Sequence, residues 1–267
     1  ARTAKQMRQH LAGYIEIACD TETTGLHPRR DKVVAIVFYV PDTTYVIPVA
    51  HRGYKITPGI RATVGTILGW SQRKIFHRAE FDVRMLIGSG FEGNYEGYLE
   101  DTKVMAWLLD ETVSSSLEAV APRYLGNAVR KYDRLFIEKL GKELPLKTFF
   151  NGFGDKYCWD DVGFVDLAAY AANDAKLTYR LYHMMRSSIV SQGLEVAYQQ
   201  ELALVPVLVD IQMTGAGLDL VLLKTLETGG DGNGGLLKAI NEAAHKVYSV
   251  AGREFDILSP KQVGELI

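Results

Sequence analysis

Residues 15–26, Ile-Glu-Ile-Ala-Cys-Asp-Thr-Glu-Thr-Thr-Gly-Leu, constrain the fold more than any other stretch of the chain. Ile15, Ile17 and Cys19 alternate with Glu16, Ala18, Asp20 and Glu22, which is the period of a β-strand. Side chains two apart on a strand share a face, so Asp20 and Glu22 point the same way. Two carboxylates held side by side raise each other's pKa unless a cation sits between them. The pair therefore points to a divalent metal with oxygen ligands, Mg²⁺ or Mn²⁺. The bland alternative is a solvated strand end. Thr23-Thr24-Gly25 marks where strand gives way to loop.

The 267 residues are enough for one large domain or two modest ones, and 47% apolar with 23% charged residues describes an ordinary globular chain. No apolar run approaches the roughly 20 residues of a membrane span, and the N-terminus carries no signal-like segment. The expectation is a soluble, intracellular protein without a membrane partner. The two cysteines, Cys19 and Cys158, form no Cys-x-x-Cys motif, so reduced thiols are expected. A net charge of −2 gives no global argument for a nucleic-acid partner. Bound divalent ions would nevertheless reverse the local sign at a carboxylate cluster.

Along the chain, Thr3-Ala4-Lys5-Gln6 has the form of a capping box and opens a helix to about Leu11. Val33 to Val40 and Tyr45 to Val49 read as strands around a Pro41-Asp42 turn, completing a meander with the Asp20 strand. A helix follows Pro58-Gly59, a short strand covers Lys74 to His77, and a helix begins near Phe81 with Asp82 in its first turn. Asp101 caps a further helix, and Ser115-Ser116-Leu117-Glu118 reads as a second capping box whose helix stops at Gly126. Strands alternating with helices place the chain in the α/β class. Arg123 to Lys147 is a basic run with interleaved aromatics, read first as a solvated face and second as a single-strand track. Phe149 to Trp159 is an aromatic loop, expected to cover a core edge. Asp166 to Met185 is a helix with Tyr170 and Asp174 on one face, i and i+4, and Asp174 pointing inward. Beyond Gln192 the pattern is helical, with breaks at Gly215 to Gly217 and Gly229 to Gly235.

Asp20, Glu22, Asp82 and Asp174 thus lie on a strand end, a helix start and a helix interior, with Tyr170 beside the last. Such a set suits two-metal hydrolysis of a phosphodiester, in which carboxylates hold the ions. A phenol with an ordinary pKa near 10 is a poorer base than an orienter of water.

These residues resemble the 3′-to-5′ exonucleases of the DEDD superfamily, tyrosine subclass, and most of all the proofreading domain of family A DNA polymerases. Asp20-Thr-Glu22-Thr-Thr-Gly-Leu26 matches the first motif, His77-Arg-Ala-Glu-Phe-Asp82 the second and Tyr170-Ala-Ala-Asn-Asp174 the third. Three ordered motifs are far more specific than one. The resemblance implies an RNase H-like mixed β-sheet flanked by helices over residues 1–190. It implies that Asp20, Glu22 and Asp174 hold one metal, that Asp20 and Asp82 hold the second, and that Tyr170 aligns the water. Thr23 and Leu26 match positions that contact the terminal nucleotide, and His77 and Arg78 are further candidate substrate contacts. The partners implied are single-stranded DNA or frayed DNA 3′ ends, and a polymerase domain or chain, and the location implied is the cytoplasm of a bacterial or phage-infected cell or another intracellular DNA-replication compartment.

Residues 191–267 form a C-terminal helical appendage that resembles the opening of the polymerase region, through Val205 to Gly215 and Phe255 to Gln262. No palm or finger motif follows, so a fragment or a split-gene product is expected. The second motif commonly reads His-Asn-Ala-Lys-Phe-Asp; Arg78 and Glu80 depart from it beside the metal ligand without replacing it. An RNase D-like RNA 3′ exonuclease and a catalytically silent DNA-binding or structural module of a polymerase are the alternatives.

Overall fold

The strand around Asp20 forms as β1, Glu16–Thr23, at the centre of a mixed sheet. The computed structural model describes residues 3–93, 95, 98–126, 159–229 and 234–266. Among these, five strands take the order β3-β2-β1-β4-β5, with β2 Val33–Val40, β3 Thr43–Pro48, β4 Arg73–Phe76 and β5 Leu99–Asp101. The β1–β2 and β2–β3 pairs are antiparallel, the expected meander, while β1–β4 and β4–β5 are parallel. Helices cover both faces, giving the expected RNase H-like arrangement. That covering explains why β2 is a continuous apolar run, buried at every position. Ile17 and Cys19 enter one core, and Ala18 enters the core on the opposite face. Ile15 falls outside the strand and is exposed.

Among the described residues this body also holds helices α1 (Ala4–Leu11), α2 (Pro58–Leu68), α3 (Ala79–Gly88), α4 (Thr102–Leu109), α5 (Leu117–Leu125), α6 (Phe164–Ser191) and α7 (Glu195–Thr214). The Thr3–Gln6 capping box is closed in both directions. The box expected at Ser115–Glu118 is not formed: α5 starts one residue later, after Ser116, and no side chain caps it. Strand β5 was not expected, because three residues are too few to display a period.

The chain divides into two compact units, Ala1–Thr214 and Gly215–Ile267. Helix α7, expected to belong with the appendage after residue 190, lies in the first unit. Its Tyr198 and Leu202 enter one core, Val205 and Val209 enter the other, and the Tyr198 hydroxyl donates to Glu100 at 2.7 Å. The second unit is helical: α8 (Leu220–Thr228), α9 (Gly235–Ala251) and α10 (Pro260–Gly264). Helices α8 and α9 meet, yet Leu220, Val221, Leu222, Leu236, Leu237 and Ile240 remain exposed. Among the described residues no helix is long and apolar enough to cross a membrane. The basic run to Lys147, the aromatic loop up to Tyr157, and Cys158 lie outside the described residues except at 123–126. Cys19 is a buried free thiol.

Candidate active site

Strand lengths create the site. The last β1–β4 pair is Ala18 with Ile75, whereas β1 continues to Thr23 paired with β2, so among the described residues one edge of its second half has no strand neighbour. Helix α3 follows β4 and covers that edge. Its Asp82, in the first turn, accepts from the Thr21 backbone N–H at 3.1 Å and from Thr21 Oγ1 at 2.6 Å. A donor that a β-ladder would have used is satisfied instead by a carboxylate. Asp20 and Glu22 share the face of Ala18, toward α6, and α6 brings Tyr170 and Asp174.

The four acids confront one another. Burial raises the pKa of Glu22 well above the usual range, and the charges of Asp20, Asp174 and Asp82 raise it further. Burial and the charge of Asp20 do the same to Asp82, against the pull of the Thr21 hydrogen bonds. Burial pushes Asp20 up to about 7. Asp101, the cap of α4, is also raised by burial, but four backbone N–H groups answer it.

Among the described residues no three His, Cys, Asp or Glu side chains close on a metal ion by themselves. The fit rests instead on donor chemistry. The donors are oxygen only and anionic, they repel one another, and Asp82 is held toward Thr21 rather than into the cluster. Hard divalent cations take such ligands, and bringing one in reverses the repulsion.

Tyr170 donates a hydrogen bond to Asp174. Burial, then the charges of Asp174, Glu22 and Glu118, push its pKa far upward, so the phenol stays protonated and neutral. Trp159 lies against its ring, centroids 4.9 Å apart and planes at 33°. Trp159 also touches the small core of Val34, Ala35, Val162 and Leu167, as expected of a residue covering a core edge.

The remaining expected contacts are less uniform. Thr23 is buried beside a β-bulge and its Oγ1 donates to Gly25 O at 2.7 Å, while Leu26 is exposed on the following loop. His77 turns inward: Nδ1 lies 2.9 Å from Thr102 Oγ1, and that hydroxyl donates to Phe76 O. Burial, helped by Lys103, lowers its pKa to about 4, leaving a neutral imidazole that offers a phosphate no cation. Arg78 is exposed, 3.6 Å from Glu80, and its backbone is left-handed, φ 87°. The Arg78 and Ala79 N–H groups bond to Asp101 at 3.1 and 2.7 Å, which holds that conformation. An asparagine, common here in the resembling family, adopts this conformation readily. Sequence reasoning missed Thr21 as the anchor of Asp82, although as the middle residue of Asp-x-Glu it must face away from both acids.

Residues 1–189 match the family model described as 3′-5′ exonuclease. DNA polymerase I of Pseudomonas aeruginosa is 27% identical over 94% of the chain, which covers 26% of that protein. The chain spans about a quarter of the length of the first curated relatives it matches. Among solved structures, Brucella melitensis NrnC with bound Mg²⁺ has a TM-score of 0.55 at 21% identity, over 77% of this chain and 89% of that one. Escherichia coli RNase D, an exoribonuclease involved in structured RNA processing, has a TM-score of 0.56 at 15% identity, over 81% of this chain and 49% of that one. At those identities the likeness is one of fold. The family match, spanning the three motifs and the sheet that presents them, establishes that the chain belongs to the 3′-5′ exonucleases of the DEDD type found in family A DNA polymerases.

Proposed function

We propose that the chain removes nucleotides one at a time from a DNA 3′ end, with Asp20, Glu22, Asp82 and Asp174 as metal ligands and Tyr170 as the water-orienting group. The single observation that carries this is the convergence of four carboxylates, of which Asp20, Glu22 and Asp82 are held above the ordinary acid range by burial, with Asp174 among the charges that raise Glu22 further. Asp20, Glu22 and Asp174 would hold one Mg²⁺ or Mn²⁺ ion, and Asp20 with Asp82 a second. When bound, such ions lower the pKa of water and offset charge on the attacking and leaving oxygens. Tyr170 keeps its proton and donates it in a hydrogen bond to Asp174, so its oxygen is free to accept from a water and turn that water's lone pair toward phosphorus. The water oxygen forms the new bond to phosphorus and gives up a proton to solvent, while the bond from phosphorus to the 3′ oxygen breaks and that oxygen takes up a proton from solvent. The products are a nucleoside 5′-monophosphate and a strand one unit shorter with a free 3′ hydroxyl. Thr21 fixes the Asp82 carboxylate, Thr23 and Leu26 frame the terminal nucleotide, and Arg78 offers a cation to a phosphate.

DNA rather than RNA is favoured by the span of the likeness. The polymerase I match takes in 94% of the chain, while the RNase D and NrnC folds cover 81% and 77%. Proofreading beside a polymerase body, in a bacterial or phage-infected cell, accounts for the exposed apolar helices of the second unit. The test is a time course on 5′-labelled single-stranded DNA and RNA of one sequence with Mg²⁺, with Asp174→Ala alongside. A descending DNA ladder that the variant abolishes is expected. An RNA ladder alone would move the assignment to RNA trimming, and binding without any ladder would leave a silent module.

A further inference from the structure

The chain leaving β3 makes a short 3₁₀ turn, His51–Gly53, and this turn grips residues 160–162, which lead into α6. The Arg52 backbone N–H donates to Asp160 Oδ1, Arg52 Nε donates to Asp160 O at 3.2 Å, and Nη2 donates to Asp161 O at 2.5 Å. His51 Nε2 lies 2.8 Å from Val162 O, and the imidazole meets the Phe164 ring edge-on at 5.4 Å. Arg52 has φ 46° and ψ 43°, a left-handed conformation in a residue with a Cβ. Such a backbone persists where surrounding structure over-determines it, and here the surrounding structure is the gripped segment. Immediately before that segment stands Trp159, whose indole lies on the Tyr170 ring.

Resting on Tyr170 as the water-orienting group, we infer that Arg52 is a positioning residue for the exonuclease reaction. Its guanidinium fixes residues 160–161, these fix the indole of Trp159, and the indole is one wall of the slot that holds the Tyr170 phenol toward Asp174. The Tyr170 ring, like the indole, also packs against the small core to which β2 and α6 contribute Val34, Ala35 and Leu167. Tyr170 is half-buried near the N-terminal end of its helix, so its rotamer depends on such a wall. Arg52 lies far from Tyr170 in sequence and belongs to none of the three motifs, which hides it from a sequence reading.

The variant that separates these effects is Arg52→Gly. Glycine adopts the left-handed backbone freely and keeps the N–H bond to Asp160, so the fold is retained while the guanidinium is lost. The chain has three tryptophans, Trp70, Trp107 and Trp159, and Trp70→Phe with Trp107→Phe leaves Trp159 as the sole indole reporter. In that background Arg52→Gly is expected to red-shift Trp159 emission and open it to acrylamide. On 5′-labelled single-stranded DNA with Mg²⁺, kcat should fall about tenfold with KM unchanged. The Mg²⁺-induced rise in Tm should stay the same, because no carboxylate is touched. In a Tyr170→Phe background Arg52→Gly should cause no further loss, since neighbours acting through one group are non-additive. Unaltered Trp159 emission would overturn the inference, as would a fall in kcat of the same factor with and without the Tyr170 hydroxyl. An inactive parent protein would count against the exonuclease assignment instead, and the emission would still report on the clamp.

Discussion

Glu16 and Glu22 stand at opposite ends of β1, on one face, under one helix, and their surroundings are opposite. Glu16 meets donors: His183 Nε2 at 2.6 Å, the Tyr179 hydroxyl at 3.1 Å and Arg73 at 3.6 Å. A second carboxylate nearby is answered in the same way, Glu100 accepting from Tyr198 at 2.7 Å and Tyr182 at 3.3 Å. Glu22 meets the acids Asp20, Asp174 and Asp82. Helix α6 makes both arrangements, laying Tyr179 and His183 over one end of β1 and Tyr170 and Asp174 over the other. A buried carboxylate that serves the fold is given donors, since an unanswered one costs stability. A group of them facing each other is a cost the fold carries, and such costs gather at functional sites.

The largest effect expected from this contrast is metal-dependent and pH-dependent stability. Asp20, Glu22 and Asp82 ionise less readily folded than unfolded. The metal-free protein therefore bears no penalty below about pH 4, where both states are protonated, and loses stability as pH rises toward about 7, the value Asp20 reaches. Thermal melts in a chelator should show Tm falling by several degrees between pH 5 and pH 8. Added Mg²⁺ or Mn²⁺ should restore it, more at pH 8 than at pH 5. A metal-free Tm that is flat or rises over that range would break the contrast.

Substitution at the two ends of β1 should then act in opposite directions. Glu16→Gln leaves donors without a charged acceptor and should cost about 1–3 kcal/mol in urea unfolding. Glu22→Gln removes one of four repelling charges and should raise metal-free stability at pH 8 by about 1 kcal/mol or more. Next in size is Thr21→Val, which keeps the side-chain shape but removes the hydroxyl bond to Asp82. It should cost about 1 kcal/mol and weaken Mn²⁺ affinity, read by calorimetry, by about tenfold. The smallest change sharpens the picture at Arg78. Arg78→Gly relieves a left-handed backbone and should stabilise by about 0.5–1 kcal/mol, while single-strand affinity falls by about two- to fivefold through the lost cation. Unchanged affinity would remove Arg78 from the substrate contacts.

Legibility in the sequence followed the range of each signal. The runs Val33 to Val40 and Asp166 to Met185, the Thr3–Gln6 box and the Asp101 cap were readable because strand alternation, helical spacing and capping are local. The first acids were readable because two residues on one strand share a face. That Asp82 reaches β1 through Thr21 was not readable, because it depends on β4 stopping while β1 runs on. Nor was the inward turn of His77, which depends on Thr102 across the sheet edge. The place of α7 was hidden for the same reason: Tyr198 finds Glu100 only once β5 exists. Ser115-Ser116-Leu117-Glu118 shows the limit of local signals, since the helix starts after Ser116 without a side-chain cap.

The most direct measurement compares Glu22→Gln and Glu16→Gln on 5′-labelled single-stranded DNA in Mg²⁺ at one pH. The account predicts a descending ladder from Glu16→Gln close to that of the unmodified chain and none from Glu22→Gln, although the latter melts at the higher temperature without metal. A ladder of undiminished rate from Glu22→Gln would contradict it.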